Sequence, residues 1–329
     1  MTEINTPQES ERNTTRLQNF PISFFSITMG LSGFAMAWEK AGHLLEKTVF
    51  IDSFVAYGAL LVFIMITSIY IKKIISYPDA VKAEIKNPIK LSFFPAISIS
   101  LLLLSIVMLN RFEDLSHLLW LAGTSLHFVL FLYVINSWMH HEHYQVPHIS
   151  PAWFIPAVGN VLVPITGMHF GYIEVSWFFF SIGIMFWIIL FTIFFNRILF
   201  HNPMPQHLVP TFFILIAPPA VGFTAYCKLN GGLDNFAYIL YGIGLFLTIL
   251  LFSQFKKFVS LPFFLSWWAY SFPIAAITIA SFVMYDFSQK IMFAYIGSFL
   301  LFVLTALMGI LIIKTVKAIS NKKICVEVH

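Results

Sequence analysis

Ten stretches of mostly apolar residues, each about as long as a helix that crosses a bilayer, follow one another with only short polar joints between them. A hydrocarbon core of about 30 Å takes about 20 helical residues. Runs of that kind lie at roughly 20–38, 48–71, 90–109, 117–138, 152–171, 174–195, 208–228, 235–254, 261–285 and 290–314. Of the 329 residues 59% are hydrophobic and 10% are charged, a balance that no water-soluble core could hide. The pattern predicts an all-α integral membrane protein: a polar tail over 1–19, a ten-helix unit over 20–316 and a second tail over 317–329. The first nineteen residues are polar and carry Glu3, Glu9, Glu11, Arg12 and Arg16, so no cleavable signal is expected and the first span itself directs insertion. Cys227 and Cys325 lie far apart, which excludes a disulfide framework and any CxxC site.

An even number of crossings puts both tails on one side, and lysine and arginine say which. The tails and the alternate joints on their side hold fourteen of these residues. The opposite side holds five: Lys40, Lys47, Arg111, Lys228 and Lys290. Both termini are therefore expected in the cytoplasm, with the protein in the inner or plasma membrane. The net charge of +4 says nothing further about partners, and nothing in it points to nucleic acid.

Prolines sort the spans into two kinds. None of the sixteen lies inside an even-numbered span, whereas every odd span has one at or near its start: Pro21, Pro88, Pro151, Pro210 and Pro262. Four odd spans carry a second break at Pro95, Pro156 with Pro164, Pro218 with Pro219, and Pro273, and the first has Gly30 and Gly33 in place of one. A proline inside a regular helix costs about 3 kcal/mol, and lipid offers no partner for the freed carbonyl. Interrupted backbone is tolerated only within protein or along a water-filled path. We therefore expect five helical hairpins with pseudo-fivefold symmetry, an inner ring of five broken helices about a central pore and an outer ring of five plain ones.

No lysine, arginine, aspartate or glutamate lies in the middle of any span, which disfavours a proton- or sodium-coupled pump. The inner spans instead offer small polar groups, among them Ser26, Asn160 and Ser271. One by one such groups serve helix packing. As a set on the broken helices they suit a narrow pore. Half-helix amides with their positive dipole ends at mid-membrane would favour an anion without holding it tightly. Phe272, directly before Pro273 and after Ser271, is the candidate hydrophobic constriction.

A second cluster, "MHHEHYQVPH", brings His140, His141, Glu142 and His143 together, with His148 nearby. A metal-dependent membrane enzyme is conceivable there. A solvated, pH-sensitive loop is the simpler reading, because multi-histidine oxidases use several separated boxes. His127, in the middle of the fourth span, reads as a buried hydrogen-bonded residue. No metal or other cofactor is expected.

Four stretches carry a resemblance: "FPISFFSITMGLSGFAMAW", "PAWFIPAVGNVLVPITG", "LIAPPAVGFTAY" and "WWAYSFPIAAITIA". With them the chain resembles the TehA, slow anion channel and malic acid transporter family, from about Phe20 to Lys317. That family includes bacterial tellurite-resistance proteins, slow anion channels of plant guard cells, and fungal malate and sulfite transporters. The resemblance implies a homotrimer with one pore per subunit and a gating phenylalanine at Phe272. Gly30 and Gly33 match the glycine-rich first helix of the family, and Ser26 departs from the glycine several members have there. The expected function is a channel passing small monovalent anions such as chloride and nitrate. The alternative is a carrier or efflux protein for a dicarboxylate, sulfite or tellurite-related anion, which would show saturable, proton-dependent flux.

Overall fold

The computed structural model describes residues 16–44, 50–140 and 144–325. Among them the regular structure is entirely helical: α1 (Phe25–Leu44), α2 (Phe50–Ser76), α3 (Pro78–Lys86), α4 (Ala96–Met108), α5 (Glu113–His140), α6 (Phe154–Gly167), α7 (Ile173–Phe200), α8 (Ala217–Asn230), α9 (Asn235–Phe252), α10 (Phe255–Val259), α11 (Ser271–Ser288) and α12 (Ile291–Ser320). Eight helical segments are long and apolar enough to cross a membrane. The other two expected spans fall on α1 and on Pro151–Gly167. Glu39, Lys40 and His43 dilute the second half of α1, and Pro151–Gly167 is cut short by the turn at Gly171, whose φ is 78°.

Burial follows the proline pattern. The windows within Lys90–Met108, Gln206–Asn230 and Leu265–Ser288 are 78%, 83% and 94% buried, against 22% to 39% for the segments of α2, α5, α7, α9 and α12. On those five the exposed faces carry large apolar side chains such as Phe54, Leu118, Ile188 and Phe302. In water such a surface would drive association, whereas lipid solvates it. The helices of the odd-numbered spans touch one another in a closed circuit: α1 packs on α4, α4 on α6, α6 on α8, α8 on α11, and α11 returns to α1. Each also packs on the plain helix that follows it in the chain.

The prolines are placed where they cost little. Each buried α-helix is preceded by a tighter 3-10 turn, at Ile22–Phe24, Lys90–Phe93, Pro151–Trp153, Gln206–Ile216 and Leu265–Tyr270. Pro95 is the residue before α4, and Pro156, Pro218, Pro219 and Pro273 lie in the first turns of α6, α8 and α11. The first-turn amides of an α-helix have no intrahelical acceptor, so a proline there forfeits no helical bond. The break is thus a junction of two helix types rather than a gap in one helix. Pro164, inside α6, and Pro210, inside the 3-10 segment Gln206–Ile216, are the exceptions. α1 has no such proline and runs without interruption through Gly30 and Gly33. The expected break at those glycines is therefore replaced by the junction at Phe25, three residues after the 3-10 turn begins at Ile22.

Local chemistry sets the joints. Gly231, with φ 72°, ends α8 in the left-handed region, where glycine is unstrained. Asp234 caps α9 by accepting from Ala237 N at 2.9 Å, and it also accepts from the Tyr226 hydroxyl at 2.6 Å. Those two donors hold its carboxyl below the usual carboxylate range. At the end that carries both tails, Lys73 at the foot of α2 meets Glu84 of α3 at 2.8 Å, and both are buried. Lys73 also donates to the carbonyl of Phe20 at 2.8 Å, and Tyr70 donates to Glu84 at 2.9 Å. One buried cluster thereby fixes the short helix α3 and the start of the first span to α2.

Candidate functional site

Two cavities lie at opposite ends of the circuit of buried helices, and they share no lining residue. The cavity at the tail end has a volume of about 480 Å³. Its wall takes Ser26 from α1, Ala96 from α4, Ile155 from α6, Ala217 from α8, and Phe272 with Pro273 from α11. These are the first few residues of all five buried α-helices, so five positive dipole ends face one space. The first amides of four of these helices, those of Phe25, Phe154, Ala217 and Ser271, donate back into the preceding 3-10 turns. Those four are not free to ligate an ion and act on it through the oriented field instead.

Side-chain charge there is sparse and of one sign. Among the described residues Lys90 is the formal charge on the wall, His207 is the titratable neighbour, and no carboxylate lines it. The rest is apolar apart from the hydroxyls of Ser23, Ser26, Thr211 and Ser266. Phe272 is 5% exposed and packs toward α1 where Gly33 leaves room. A Cβ on Gly33 would stand 3.3 Å from Phe272 Cδ2 and 2.9 Å from Ala275 Cβ.

The cavity at the other end holds about 440 Å³ and is ringed by charges at the far ends of the buried helices. Lys40 of α1 binds Asp286 of α11 at 2.7 Å. Glu39 accepts from Asn110 at 2.7 Å and from Arg111 at 3.2 Å, and Arg111 also binds Asp52. Lys228 of α8 lines the same cavity without an ion-pair partner among the described residues. Sequence reading passed over Lys40 and Lys228 as part of a loop count. The signal was there: Lys40, Arg111, Lys228 and Asp286 all sit where an odd-numbered span ends.

The residues singled out from the sequence fall into two groups. Ser26, Phe272 and Pro273 line the tail-end cavity, with the Ser26 hydroxyl turned back to the Ser23 carbonyl at 2.6 Å. Gly30, Gly33, Pro95, Asn160, Pro164, Pro218, Pro219 and Ser271 line neither cavity. Ser271 donates to the Trp268 carbonyl at 2.6 Å and lies against Gly30. Asn160 donates to the Pro156 carbonyl at 2.9 Å and faces α7, its Cβ 3.1 Å from where a Gly183 Cβ would stand. Most small polar residues of these helices bond their own backbone in the same way, Ser100 to Ala96 and Thr278 to Ile274 among them. Others are left over: the hydroxyls of Thr28, Ser32, Ser92 and Thr166 and the Asn160 Oδ1 are buried with no hydrogen-bond partner among the described residues.

His127 behaves as the sequence suggests. It is fully buried, with Nδ1 2.9 Å from Ser98 Oγ and Nε2 3.1 Å from the Pro156 carbonyl. Because a carbonyl only accepts, Nε2 carries the proton. Gly159 makes room for the ring. Of the other histidine cluster, His141 and His143 lie outside the described residues, as does Glu142, while His140 Nδ1 contacts the Asn136 carbonyl at 3.0 Å in its own helix.

The contact between α1 and α11 carries the wall that holds Phe272. A Cβ on Gly30 would stand 2.2 Å from Ser271 Oγ and 2.9 Å from Ser271 Cβ. Gly30→Ala is expected to cost about 1–3 kcal/mol through overpacking, read as a lowered melting temperature in detergent. Gly58→Ala, where nothing lies within 4 Å of the added carbon, is the control and leaves stability unchanged or raises it.

Residues 19–316 match the SLAC1 family, described as voltage-dependent anion channel. The chain belongs to that family. Among its relatives are the S-type anion channel SLAH3 of Arabidopsis thaliana, 30% identical over 272 residues, and the tellurite resistance protein TehA homolog of Haemophilus influenzae, 25% identical over 316 residues. The first alignment covers 80% of this chain and 43% of SLAH3, and the second covers 94% of each. An uncharacterized transporter of Methanocaldococcus jannaschii, MJ0762, is 24% identical over 329 residues, covering 93% of this chain and 96% of its own. The chain thus spans less than half the length of the plant channel and nearly the whole of the two microbial proteins.

Proposed function

We propose that this protein is an anion channel that passes small monovalent anions such as chloride and nitrate along the axis of each subunit. The five buried helices form a pseudo-fivefold inner ring around that axis, and Phe272 is the gate. The subunits assemble as homotrimers in the inner or plasma membrane, with both tails in the cytoplasm. The observation that carries this reading is the tail-end cavity: the starts of five helices, one lysine, no carboxylate, and Phe272 at its wall. Membership of an anion channel family supports it.

Charge number favours a monovalent ion. At equal radius the cost of stripping water from an ion rises with the square of its charge, and even a dianion with separated charges such as malate costs about twice as much as a monovalent ion. A single lysine and five screened dipole ends offset little of that difference. Proteoliposomes loaded with chloride, nitrate or malate test the proposal. A channel gives chloride and nitrate efflux that rises in proportion to concentration, with malate slower by more than about tenfold, a difference of only ~1.4 kcal/mol in barrier. Saturable malate or sulfite flux that exceeds chloride flux would replace the channel with a carrier.

A further inference from the structure

Beside the tail-end cavity, on the same face, lies a larger cleft of about 1020 Å³. Its walls come from the chain before α1, the last turns of α2, from α3, the turn before α11, the end of α12 and the residues after it. Five lysines line it, Lys73, Lys90, Lys314, Lys317 and Lys323, against one carboxylate, Glu84. Lys73 and Glu84 neutralise each other at 2.8 Å. The other four lysines have no ion-pair partner among the described residues.

Lysines are common at the cytoplasmic ends of membrane helices for reasons of insertion alone. These four are exposed too, but they line one concavity from three separate segments. Lys90 comes from the turn before α4, Lys314 and Lys317 from adjacent turns of α12, and Lys323 from the segment beyond it. That segment is folded back on the helix end: Lys322 has φ 56°, and Lys323 N donates to the Ala318 carbonyl at 2.9 Å. Lys314 is also steered by the Trp267 ring, its Nζ 5.1 Å from the ring centre. Cations gathered around one concavity repel each other unless an anion sits among them. Arg16 adds to the field from the side, since it and Lys73 draw down the Cys325 thiol that burial pushes up.

We propose that this cleft binds a phosphate-bearing anion, supplied by the head group of an acidic phospholipid or by a free phosphate compound. Basic recesses between helices at the membrane surface suit lipid phosphates. The outer faces beside this one carry exposed Ile74, Ile75, Ile313 and Val316 on α2 and α12, which places the cleft at the level where head groups lie. Lys90 lines both the cleft and the axial cavity. A bound anion would therefore sit against the formal charge on the axial wall.

The test uses the full chain in a neutral detergent, titrated with dihexanoyl phosphatidylglycerol, dihexanoyl phosphatidylcholine or sodium diphosphate, and reads the rise in melting temperature. Wild type should bind phosphatidylglycerol saturably and phosphatidylcholine not at all. At about 1 kcal/mol per lysine, Lys323→Gln should weaken binding about fivefold and Lys314→Gln with Lys317→Gln roughly thirtyfold. Lys322→Gln, outside the cleft, should bind as wild type does. Diphosphate that binds more tightly than the lipid, with the same dependence on these lysines, assigns the site to a free phosphate compound and upholds the shared chemistry. Lys323→Gln serves if the double variant melts early without ligand. Equal response to both lipids, or lysine variants that bind both phosphate probes like wild type, overturns the proposal.

Discussion

Anion current through Phe272→Ala is expected to exceed that of wild type by more than about tenfold, which needs a barrier lower by only ~1.4 kcal/mol per ion. The ring is 5% exposed and lines the tail-end cavity but not the far-end one. A hydrophobic constriction of this kind gates by excluding water, so an ion crossing it must shed hydration with nothing in return. Alanine removes the ring and lets water follow the ion. Gly33 explains why the ring fits at all, because any side chain there would meet Phe272 and Ala275. Removing a buried phenylalanine also costs about 3–5 kcal/mol when the space stays empty. The variant must therefore be shown to run as the native assembly on size exclusion before its currents are read. Currents equal to wild type, from protein that passes that control, would remove Phe272 from the role of gate.

Glu84→Gln is expected to cost about 3–5 kcal/mol of stability. Side chains of Lys73 and Glu84 are 1% and 6% exposed. Removing the carboxylate charge leaves a buried ammonium facing neutral oxygens alone, the Phe20 carbonyl and the new amide, and it turns the Tyr70 hydroxyl toward that neutral amide. The site fixes α3 and the start of the first span, so its loss should loosen the tail face and leave the far-end ion pairs Lys40–Asp286 and Arg111–Glu39 intact. The double variant Lys73→Met with Glu84→Leu removes both charges together and should lose less than Glu84→Gln alone. Thermal melting in detergent of the three proteins checks the order. A loss below about 1 kcal/mol for Glu84→Gln, the scale of an exposed pair, would mean that water reaches the pair.

Much of the frame was legible because a bilayer leaves a chain few choices. Apolar runs of bilayer length could only be spanning helices, and prolines could only be tolerated away from lipid, so proline-bearing spans are the buried ones. The manner of each break was not legible. Whether Pro273 interrupts a helix or begins one depends on hydrogen bonds several residues upstream, where "LSWWAYS" reads equally well as α-helix. Side-chain direction was harder still. Asn160 and Ser271 look like pore groups in sequence, but only the structure shows that the Asn160 Cβ stands beside α7 with its Oδ1 buried and unpartnered, and that Ser271 lies against Gly30 of α1. Rotation of a helix by a fraction of a turn is invisible in a composition that is apolar on every side. The lysines of the cleft escaped notice for a different reason: Lys90, Lys314 and Lys323 converge only once three distant segments fold to one face.

The central claim is an anion path along the subunit axis, and the reversal potential of Phe272→Ala tests it most directly. The protein would be reconstituted in a planar bilayer separating unequal concentrations of potassium chloride. A path set by one lysine, five helix dipoles and no carboxylate at its tail-end cavity predicts reversal close to the chloride equilibrium potential. Reversal close to the potassium equilibrium potential, from verified native-like protein, would contradict the account.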